Sequence, residues 1–225
     1  MDGNGRWANH KDQNRARGHE AGAENIREVA QAFSDQGVDY LTLYAFSTEN
    51  WHRPRQEITS LLSILSTAVD KQAEALHRDG VRLLHIGRLD RISRLLRRKI
   101  ENVIKLTQLN TGLTLVLAFD YGGRSEIIEA IRKLINNGQD AENIDEKTFE
   151  KFLYTSEIPE PDLIIRTAGE MRLSNFLIWQ SAYSEYYATE TLWPDFDKSE
   201  VKQALNAYKQ RHRSFGKIEN DISDF

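Results

Sequence analysis

The chain has 225 residues, with 30 lysines and arginines against 34 aspartates and glutamates, and a formal net charge of −4. This balance, with 40% hydrophobic residues, is typical of a folded domain and excludes a disordered or fibrous protein. Cysteine is absent, which excludes disulfides, thiolate nucleophiles and zinc sites built on cysteine pairs. We predict one domain over residues 1–225 in the cytoplasm, because the polar start and the short apolar runs fit neither a signal peptide nor a membrane span.

Patterns of apolar residues predict helices and strands that alternate along the chain. A helix from Glu20 ends near Gly37, and an apolar, β-rich strand follows from Val38 to Phe46. Further helices are predicted at about 57–78, 90–109, 125–136, 145–154 and 199–215, and further strands at 81–87, 113–119 and 163–167. Because apolar strands separated by helices are typical of parallel sheets, we predict an α/β fold with a mainly parallel central sheet flanked by helices.

The first residues of the chain combine two glycines with charge. In residues 2–7, Asp-Gly-Asn-Gly-Arg-Trp, the glycines let backbone N–H groups approach an anion, the arginine adds positive charge, and the aspartate can bind a metal. Arg15, Arg17 and His19 are further donors that can close over the same anion. The pattern predicts a diphosphate cradle. A frayed terminus with turn glycines and a solvated basic turn are the alternatives.

The loop that follows the first predicted strand is dense in hydrogen-bonding groups. Ligands of parallel sheets bind beyond the carboxyl ends of the strands, so this position is expected to carry chemistry. Residues 47–54 read Ser-Thr-Glu-Asn-Trp-His-Arg-Pro. Either the polar residues orient a head group while Trp51 packs on an apolar tail, or Trp51 anchors the core and its neighbours form a turn.

A second basic loop follows the strand at 163–167. Arg166, Arg172 and Ser174 lie at this strand exit, which suggests a second phosphate site. The alternative is that these are surface arginines paired with Glu160 and Glu170. Two anion sites, one candidate metal carboxylate and no recognisable nucleophile motif together favour an enzyme that acts on two diphosphates by positioning and charge stabilisation.

The motifs resemble those of the cis-prenyltransferase family, and in particular those of the bacterial undecaprenyl diphosphate synthases. The similar segments span nearly the whole chain and occur in the family's order. They are MDGNGRWA at 1–8, R-x-x-x-H at Arg15 and His19, GHEAG at 18–22, LTLYAFSTENWHRP at 41–54, NTGLTL at 110–115, DYGGR at 120–124, RTAGEMRLSNFLIWQ at 166–180 and LWPDF at 192–196.

The resemblance implies a Mg²⁺-dependent transferase that condenses isopentenyl diphosphate onto an allylic diphosphate, such as farnesyl diphosphate. Its product would be a cis-polyprenyl diphosphate, the lipid carrier of cell-wall synthesis. Asp2 and Asn50 would be catalytic, Asn50 as the proton acceptor, and Asp2 and Glu185 would bind the metal. The implied allylic-diphosphate ligands are Gly3, Asn4, Gly5, Arg6, Trp7, Arg15 and His19. Around both substrates would lie Ser47, Thr48, Glu49, Trp51 and Arg53, and isopentenyl diphosphate would be held by Arg166, Arg172, Leu173 and Ser174.

The resemblance also implies a homodimer in which Glu185 reaches the partner's site, and at most peripheral membrane contact for product release. Family members carry an N-terminal strand that leads into the first motif, whereas this chain begins at the methionine of that motif. We therefore expect an apolar strand to be encoded upstream. For the apolar tail of the product we expect a tunnel lined by the helix at 57–78, through Leu61, Leu62, Leu65 and Val69, and by the strand at 113–119.

Two other functions remain as alternatives. A noncatalytic prenyltransferase subunit is one, although such subunits tend to lose the motif that residues 2–6 retain. The other is nucleic-acid binding through the basic helix at 90–105, where Arg91, Arg94 and Arg98 would share one face. The negative net charge argues against general binding of polyanions, so no nucleic-acid partner is expected.

Overall fold

A computed structural model of the chain describes residues 1–211 and contains seven α-helices and five strands in that range. The helices are α1 (Asn4–His10), α2 (Arg15–Ser34), α3 (Arg55–Arg78), α4 (Arg94–Thr107), α5 (Gly123–Asn136), α6 (Glu146–Glu150) and α7 (Lys198–Lys209). The strands are β1 (Tyr40–Ser47), β2 (Arg82–Gly87), β3 (Thr114–Tyr121), β4 (Leu163–Arg166) and β5 (Glu185–Ala188). No helix among residues 1–211 has both the length and the apolar character needed to cross a membrane.

Every strand pair is parallel, and the strands form two sheets. One sheet has the order β1-β3-β2, and the other consists of β4 and β5. All eight residues of β3 are buried, as expected for the central strand of a sheet covered on both faces. The predicted α/β fold with a parallel sheet and flanking helices is confirmed, with the addition that the sheet is divided into two parts.

A cavity of about 1120 Å³ separates the two sheets. Residues 40–47 of β1 and residues 163–166 of β4 all line it. Among residues 1–211, β1 pairs with β3 and β4 pairs with β5, so the second edge of each strand faces this cavity. The gap therefore runs along two unpaired strand edges, and its polar end lies at the carboxyl ends of these strands.

The helix α1 lies ahead of the first predicted helix, and its packing explains why it is helical. It crosses α2 at two glycines: a Cβ built on Gly18 would lie 2.0 Å from the carbonyl oxygen of Asn4, and one on Gly22 would lie 2.3 Å from Asn4 Oδ1. Only glycine permits that approach. The sequence pattern predicts a diphosphate cradle here but no helix, and residues 4–10 stand on a helix that is held by close contact of Asn4 with α2.

Other predicted boundaries shift by a few residues. The helix predicted at 145–154 is the single turn α6, and turns follow it. The helix predicted at 199–215 ends at Lys209, and positions 212–215 lie outside the described residues. The helix predicted from about 90 begins at Arg94, after its N-cap Ser93, whose side chain accepts a hydrogen bond from Leu96 N.

Candidate active site

The cavity between the sheets brings together most of the residues predicted from the sequence. Its lining includes Asp2, Gly3, Asn4, Gly5, Arg6, Arg15, His19, Ser47, Asn50, Arg53, Arg166, Arg172, Leu173 and Ser174. These residues come from α1, α2 and the segments that follow β1 and β4. We call residues 2–19 the cradle, residues 47–53 the β1 loop and residues 168–177 the β4 loop. The three segments form the polar end of the cavity.

Asp2 joins the cradle to the end of β4. Its backbone N–H donates to Thr167 Oγ1 at 2.8 Å, and its carbonyl accepts from Trp193 N at 2.9 Å. Its carboxylate accepts from Arg166 Nε at 2.9 Å and from Arg166 Nη2 at 2.8 Å. The side chain of Asp2 remains 46% exposed, whereas that of Arg166 is 17% exposed. The candidate metal carboxylate and a candidate isopentenyl-diphosphate arginine therefore form one ion pair.

Glu170, which was not predicted as a site residue, bridges two candidate phosphate-binding arginines. Its Oε1 lies 3.3 Å from Arg6 Nη2, and its Oε2 accepts from Arg172 Nη1. Arg6 also donates to the carbonyl of Ala168 at 2.8 Å. Without substrate, a carboxylate of the protein thus occupies the position between the two arginines where an anion would be recognised.

Glu57 likewise lies between two arginines, on the other side of the cradle. It lies 3.8 Å from Arg15 Nη1, and Arg53 Nη1 donates to it at 3.1 Å. The side chain of Glu57 is 18% exposed. Arg53 and Glu57 are four residues apart at the start of a helix, so the sequence alone could indicate this ion pair. Nothing local in the sequence indicated that Arg15 shares the same carboxylate.

Two buried polar atoms of the cradle lack partners among the described residues. They are His19 Nε2 and Asn4 Oδ1. The pKa of His19 is lowered, first by burial and then by the positive charge of Arg53, so the imidazole is neutral near pH 7. Buried polar groups are usually hydrogen-bonded, and both residues line the cavity. An anionic ligand with its hydration shell would provide the missing partners.

The β1 loop is a short 3-10 turn, Thr48–His52, closed by a reciprocal cap. Asn50 Oδ1 accepts from Ser47 N at 3.0 Å, and the Ser47 side chain accepts from the backbone N–H of Asn50. This cap fixes the side chain of Asn50, which lines the cavity. Because an amide oxygen has two lone pairs, one acceptor position of Asn50 remains for a substrate.

Trp51 anchors this loop from outside the cavity. Its Nε1 donates to Asp120 Oδ1 at 2.8 Å, and its ring lies edge-on to Phe46 at 5.3 Å between centroids. The carboxylate of Asp120 is completely buried and also accepts from Arg91 Nε at 2.8 Å. These contacts agree with the alternative in which Trp51 anchors the core. A role of Trp51 in substrate binding stays a prediction.

Three other predicted residues lie outside the cavity lining. Trp7 Nε1 donates to Asp195 at 2.7 Å, and Lys11 lies 3.9 Å above its ring. Thr48 and Glu49 are hydrogen-bonded to each other at 3.2 Å. Their predicted contacts with substrate remain untested predictions, since the structure gives each of them a partner in the protein.

The β4 loop has an unusual backbone. Ala168, Gly169, Ser174, Asn175 and Leu177 all have φ between +43° and +70°. Non-glycine residues adopt this conformation at a cost of about 1–3 kcal/mol each, and such residues cluster at functional sites. Arg166 Nη1 donates to Ser174 Oγ at 3.0 Å, so the loop folds its serine back onto the strand exit.

The donors at the polar end fit Mg²⁺ in part. Mg²⁺ is commonly bound through one or two carboxylates together with substrate phosphates and water, and Asp2 can supply one such carboxylate. Glu185 pairs in register with Leu163, whereas Asp2 contacts Thr167, so the two lie roughly 13 Å apart along β4. Glu185 also forms an ion pair with Arg211 at 2.6 Å. Within residues 1–211, no three acidic or histidine side chains converge on one metal position.

Apolar side chains line part of the rest of the cavity, but they differ from those of the predicted tunnel. Leu61 lines the cavity as expected. Leu62, Leu65 and Val69 pack instead against the core, and β3 lies buried between β1 and β2. No residue of the strand at 113–119 lines this cavity, and its predicted part in the tunnel stays a prediction. The apolar lining comes mainly from α2, β1, β4 and the segments beside them, through Val29, Phe33, Leu41, Leu43, Ile158, Ile164, Ile165, Phe176 and Leu177.

The basic run at 90–105 does not form the predicted uniform face. Arg91 precedes α4 and binds Asp120. Arg97 pairs with Glu101 at 2.7 Å, and Lys99 pairs with Asp70 at 2.5 Å. Three of the six cations in the run are therefore paired with carboxylates of the same chain.

Comparison with known proteins gives matches over nearly the full length. The family model described as "Putative undecaprenyl diphosphate synthase" matches residues 1–216. The isoprenyl transferase of Fusobacterium nucleatum is 44% identical over 220 residues, which cover 98% of this chain and 94% of that protein. The farnesyl-diphosphate-specific ditrans,polycis-undecaprenyl-diphosphate synthase of Escherichia coli K12 is 45% identical over 223 residues, covering 97% and 88% of the two chains.

Solved structures agree with these sequence matches. Lavandulyl diphosphate synthase from Lavandula x intermedia, in complex with dimethylallyl diphosphate, superposes with a TM-score of 0.92 at 35% identity and covers 96% of this chain and 95% of that chain. The probable undecaprenyl diphosphate synthase of Campylobacter jejuni has a TM-score of 0.79 at 35% identity, with 88% and 92% covered. The family model, the relatives and the shared fold agree, and the chain belongs to the cis-prenyltransferase family.

Proposed function

We propose that this protein condenses isopentenyl diphosphate onto an allylic diphosphate, such as farnesyl diphosphate, to give a cis-polyprenyl diphosphate. One observation carries the proposal: arginines of the cradle and arginines at the end of β4 face one cavity, and Arg6 and Arg172, one from each group, share the carboxylate of Glu170. The polar end continues into an apolar wall. Two diphosphates and two hydrocarbon chains are the substrates that such a cavity would bind. The names of the relatives above, isoprenyl transferase and undecaprenyl diphosphate synthase, support the same substrates.

The residues suit the charge changes of the reaction. The bond between the allylic carbon and its diphosphate oxygen breaks, a carbon–carbon bond forms to the isopentenyl unit, and that unit loses a proton. Arg6, Arg15 and the neutral His19 would stabilise the negative charge that grows on the leaving diphosphate. Arg166, Arg172 and Ser174 would hold the second diphosphate. Asn50, fixed by its cap, would lie beside the proton that is lost.

Mg²⁺ is part of the proposal, with Asp2 as its ligand. When bound, Mg²⁺ would neutralise charge on the leaving diphosphate. Asp2 would hold the metal through the exposed half of its side chain, and the guanidinium of Arg166 would contact the isopentenyl diphosphate.

The test is incorporation of labelled isopentenyl diphosphate into an extractable lipid. We expect product with farnesyl diphosphate and Mg²⁺, none without the allylic substrate, and a strong loss when EDTA removes the metal. Gly80→Asn is a suitable control variant, because Gly80 has φ +71° with no atom within 4 Å of a built Cβ and does not line the cavity. No product from a folded, monodisperse wild-type protein would contradict the proposed function.

A homodimer with a shared metal site is the second part of the proposal. The dimer would place Glu185 of one subunit beside Asp2 of the other. Within one chain these residues lie far apart along β4, so binding of one metal by both would need two subunits. Mixing Asp2→Asn and Glu185→Gln subunits tests this directly. A shared site predicts recovery of roughly a quarter of wild-type activity, because half the dimers are mixed and each has one intact site. If both residues serve the same chain, mixing restores nothing.

A further inference from the structure

The β1 loop and the β4 loop carry different substrate contacts and follow different strands. In the proposed reaction, Asn50 of the β1 loop acts on a substrate that Arg172 and Ser174 of the β4 loop hold. The relative position of the two loops therefore determines whether the reacting atoms are aligned. A misplacement of about 1 Å can cost roughly 100-fold in rate.

Asn175 makes three hydrogen bonds to other segments, and one of them connects these two loops. Its Nδ2 donates to Glu49 Oε1 at 2.7 Å. Its Oδ1 accepts from Arg124 N at 2.9 Å, and its backbone carbonyl accepts from Gly123 N at 2.8 Å. Gly123 and Arg124 begin α5, directly after β3. One residue thus fastens the β4 loop to the β1 loop and to the end of the central strand.

The surroundings of Asn175 are shaped for this side chain. Its φ of 66° is left-handed, a conformation that asparagine tolerates better than most residues. A Cβ on Gly122 would lie 2.8 Å from Asn175 Nδ2 and 2.5 Å from Thr48 Oγ1, so glycine leaves room for both loops at this point. The hydrogen bond to Asn175 also contributes to lowering the pKa of Glu49, which keeps that carboxylate ionised as an acceptor despite partial burial.

Asn175 follows Ser174 in the chain but is absent from the cavity lining. It can therefore influence the reaction only through its neighbours. We propose that Asn175 is a positioning residue that holds the β1 loop and the β4 loop in register, and so aligns Asn50 with the substrate bound at Arg172 and Ser174. This inference rests on the proposed condensation reaction.

The test exchanges the donor and the acceptor of the hydrogen bond between the loops. In Asn175→Asp the side chain keeps the acceptor for Arg124 N and tolerates the left-handed backbone, but it repels Glu49. We expect kcat to fall about 10- to 100-fold, while the affinity for the allylic diphosphate changes less than about twofold, since the cradle is untouched. In the double variant Asn175→Asp with Glu49→Gln, the glutamine can donate to the aspartate. We expect kcat at least about tenfold above that of Asn175→Asp alone.

Two further measurements separate this inference from the proposed function. Asn137→Ala is the matched control, because Asn137 also makes a side-chain amide hydrogen bond, to Lys133 O at 2.9 Å, but at the far end of α5. Its kcat should equal that of wild type. Hydrogen exchange of the substrate-free protein should be faster in both loops of Asn175→Asp and return toward wild type in the double variant. The inference is wrong if kcat of the double variant does not recover above that of Asn175→Asp. It is also wrong if hydrogen exchange in the β1 loop is the same in Asn175→Asp as in wild type, and the exchange result holds whether or not the wild type condenses substrates.

Discussion

The two halves of the polar end are held in place in different ways. The cradle stands on α1, which touches α2 so closely at Gly18 and Gly22 that no side chain fits between them. The β4 loop has no helix and is fixed by left-handed residues and by side-chain hydrogen bonds to other loops. The cradle therefore gains its shape from backbone packing, and the β4 loop gains it from a few polar contacts.

This difference matters because the halves have different tasks in the proposed cycle. A growing product would be held again and again as an allylic diphosphate, and helix packing would keep the backbone of the cradle in one shape between steps. A fresh isopentenyl unit must enter for each step, and a loop held by exchangeable ion pairs can release and reform its contacts. In the substrate-free protein Glu57, Glu170 and Asp2 occupy the arginines of both halves, so substrate anions displace internal carboxylates.

The strongest test removes the ion pair between Asp2 and Arg166, one of the contacts between the cradle and the end of β4. Asp2→Asn keeps the shape of the side chain but removes the carboxylate that pairs with Arg166 and is proposed to bind Mg²⁺. We expect kcat to fall by about 100- to 1,000-fold, a range typical for loss of one group that stabilises transition-state charge. Steady-state rates over a range of Mg²⁺ concentrations check this. Unchanged activity and an unchanged Mg²⁺ requirement would contradict the role assigned to Asp2.

The packing of the cradle is tested by Gly18→Ala. The new Cβ would lie 2.0 Å from the carbonyl oxygen of Asn4, so α1 must move away from α2. We expect a destabilisation of about 1–3 kcal/mol and a loss of about 100-fold in kcat/KM for the allylic diphosphate. Thermal unfolding and initial rates measure the two effects. An active variant with wild-type KM would show that the glycine is not needed to shape the cradle.

The polar contacts of the β1 loop are tested at Asp120. Asp120→Ala leaves both Trp51 Nε1 and Arg91 without their buried acceptor, which costs about 1–3 kcal/mol and should lower kcat about tenfold. Asp120→Asn keeps an acceptor and should recover part of the loss. Adding Trp51→Phe to Asp120→Ala should cost little more, because the shared hydrogen bond is already gone. Fully additive losses would mean that the pair does not act through this bond.

The smallest expected effect is a pH dependence of anion binding at His19. Burial, with Arg53 and Arg15 nearby, lowers its pKa below the ordinary value of 6.5, while Glu57 opposes this. A bound diphosphate favours the imidazolium and raises the pKa, so binding takes up a proton. When the pH is lowered from 8 to 6, the affinity for inorganic diphosphate should increase. We expect this increase to be a few-fold larger in wild type than in His19→Gln. Calorimetry in buffers of different ionisation enthalpy measures the proton uptake, and identical pH profiles would contradict it.

Much of the fold was predictable because its signals are local. Apolar runs at 113–119 and 163–167 predict strands from neighbouring residues alone, and the observed β3 and β4 begin within one residue of these positions. The short α1 was missed, since its seven residues have no helical pattern of apolar residues and become helical by packing on α2. The motifs that resemble cis-prenyltransferases gave the family, which the comparisons confirm.

The sequence by itself determined the order of helices and strands, the family and the segments that carry charge, because each of these depends on residue type and spacing. Only the tertiary structure decided which charges meet. Asp2 finds Arg166, Glu170 finds Arg6, and Asn175 finds Glu49, across 164, 164 and 126 positions of the chain. No local pattern encodes such pairs, since they arise when the parallel strands bring the loops at their carboxyl ends into one place.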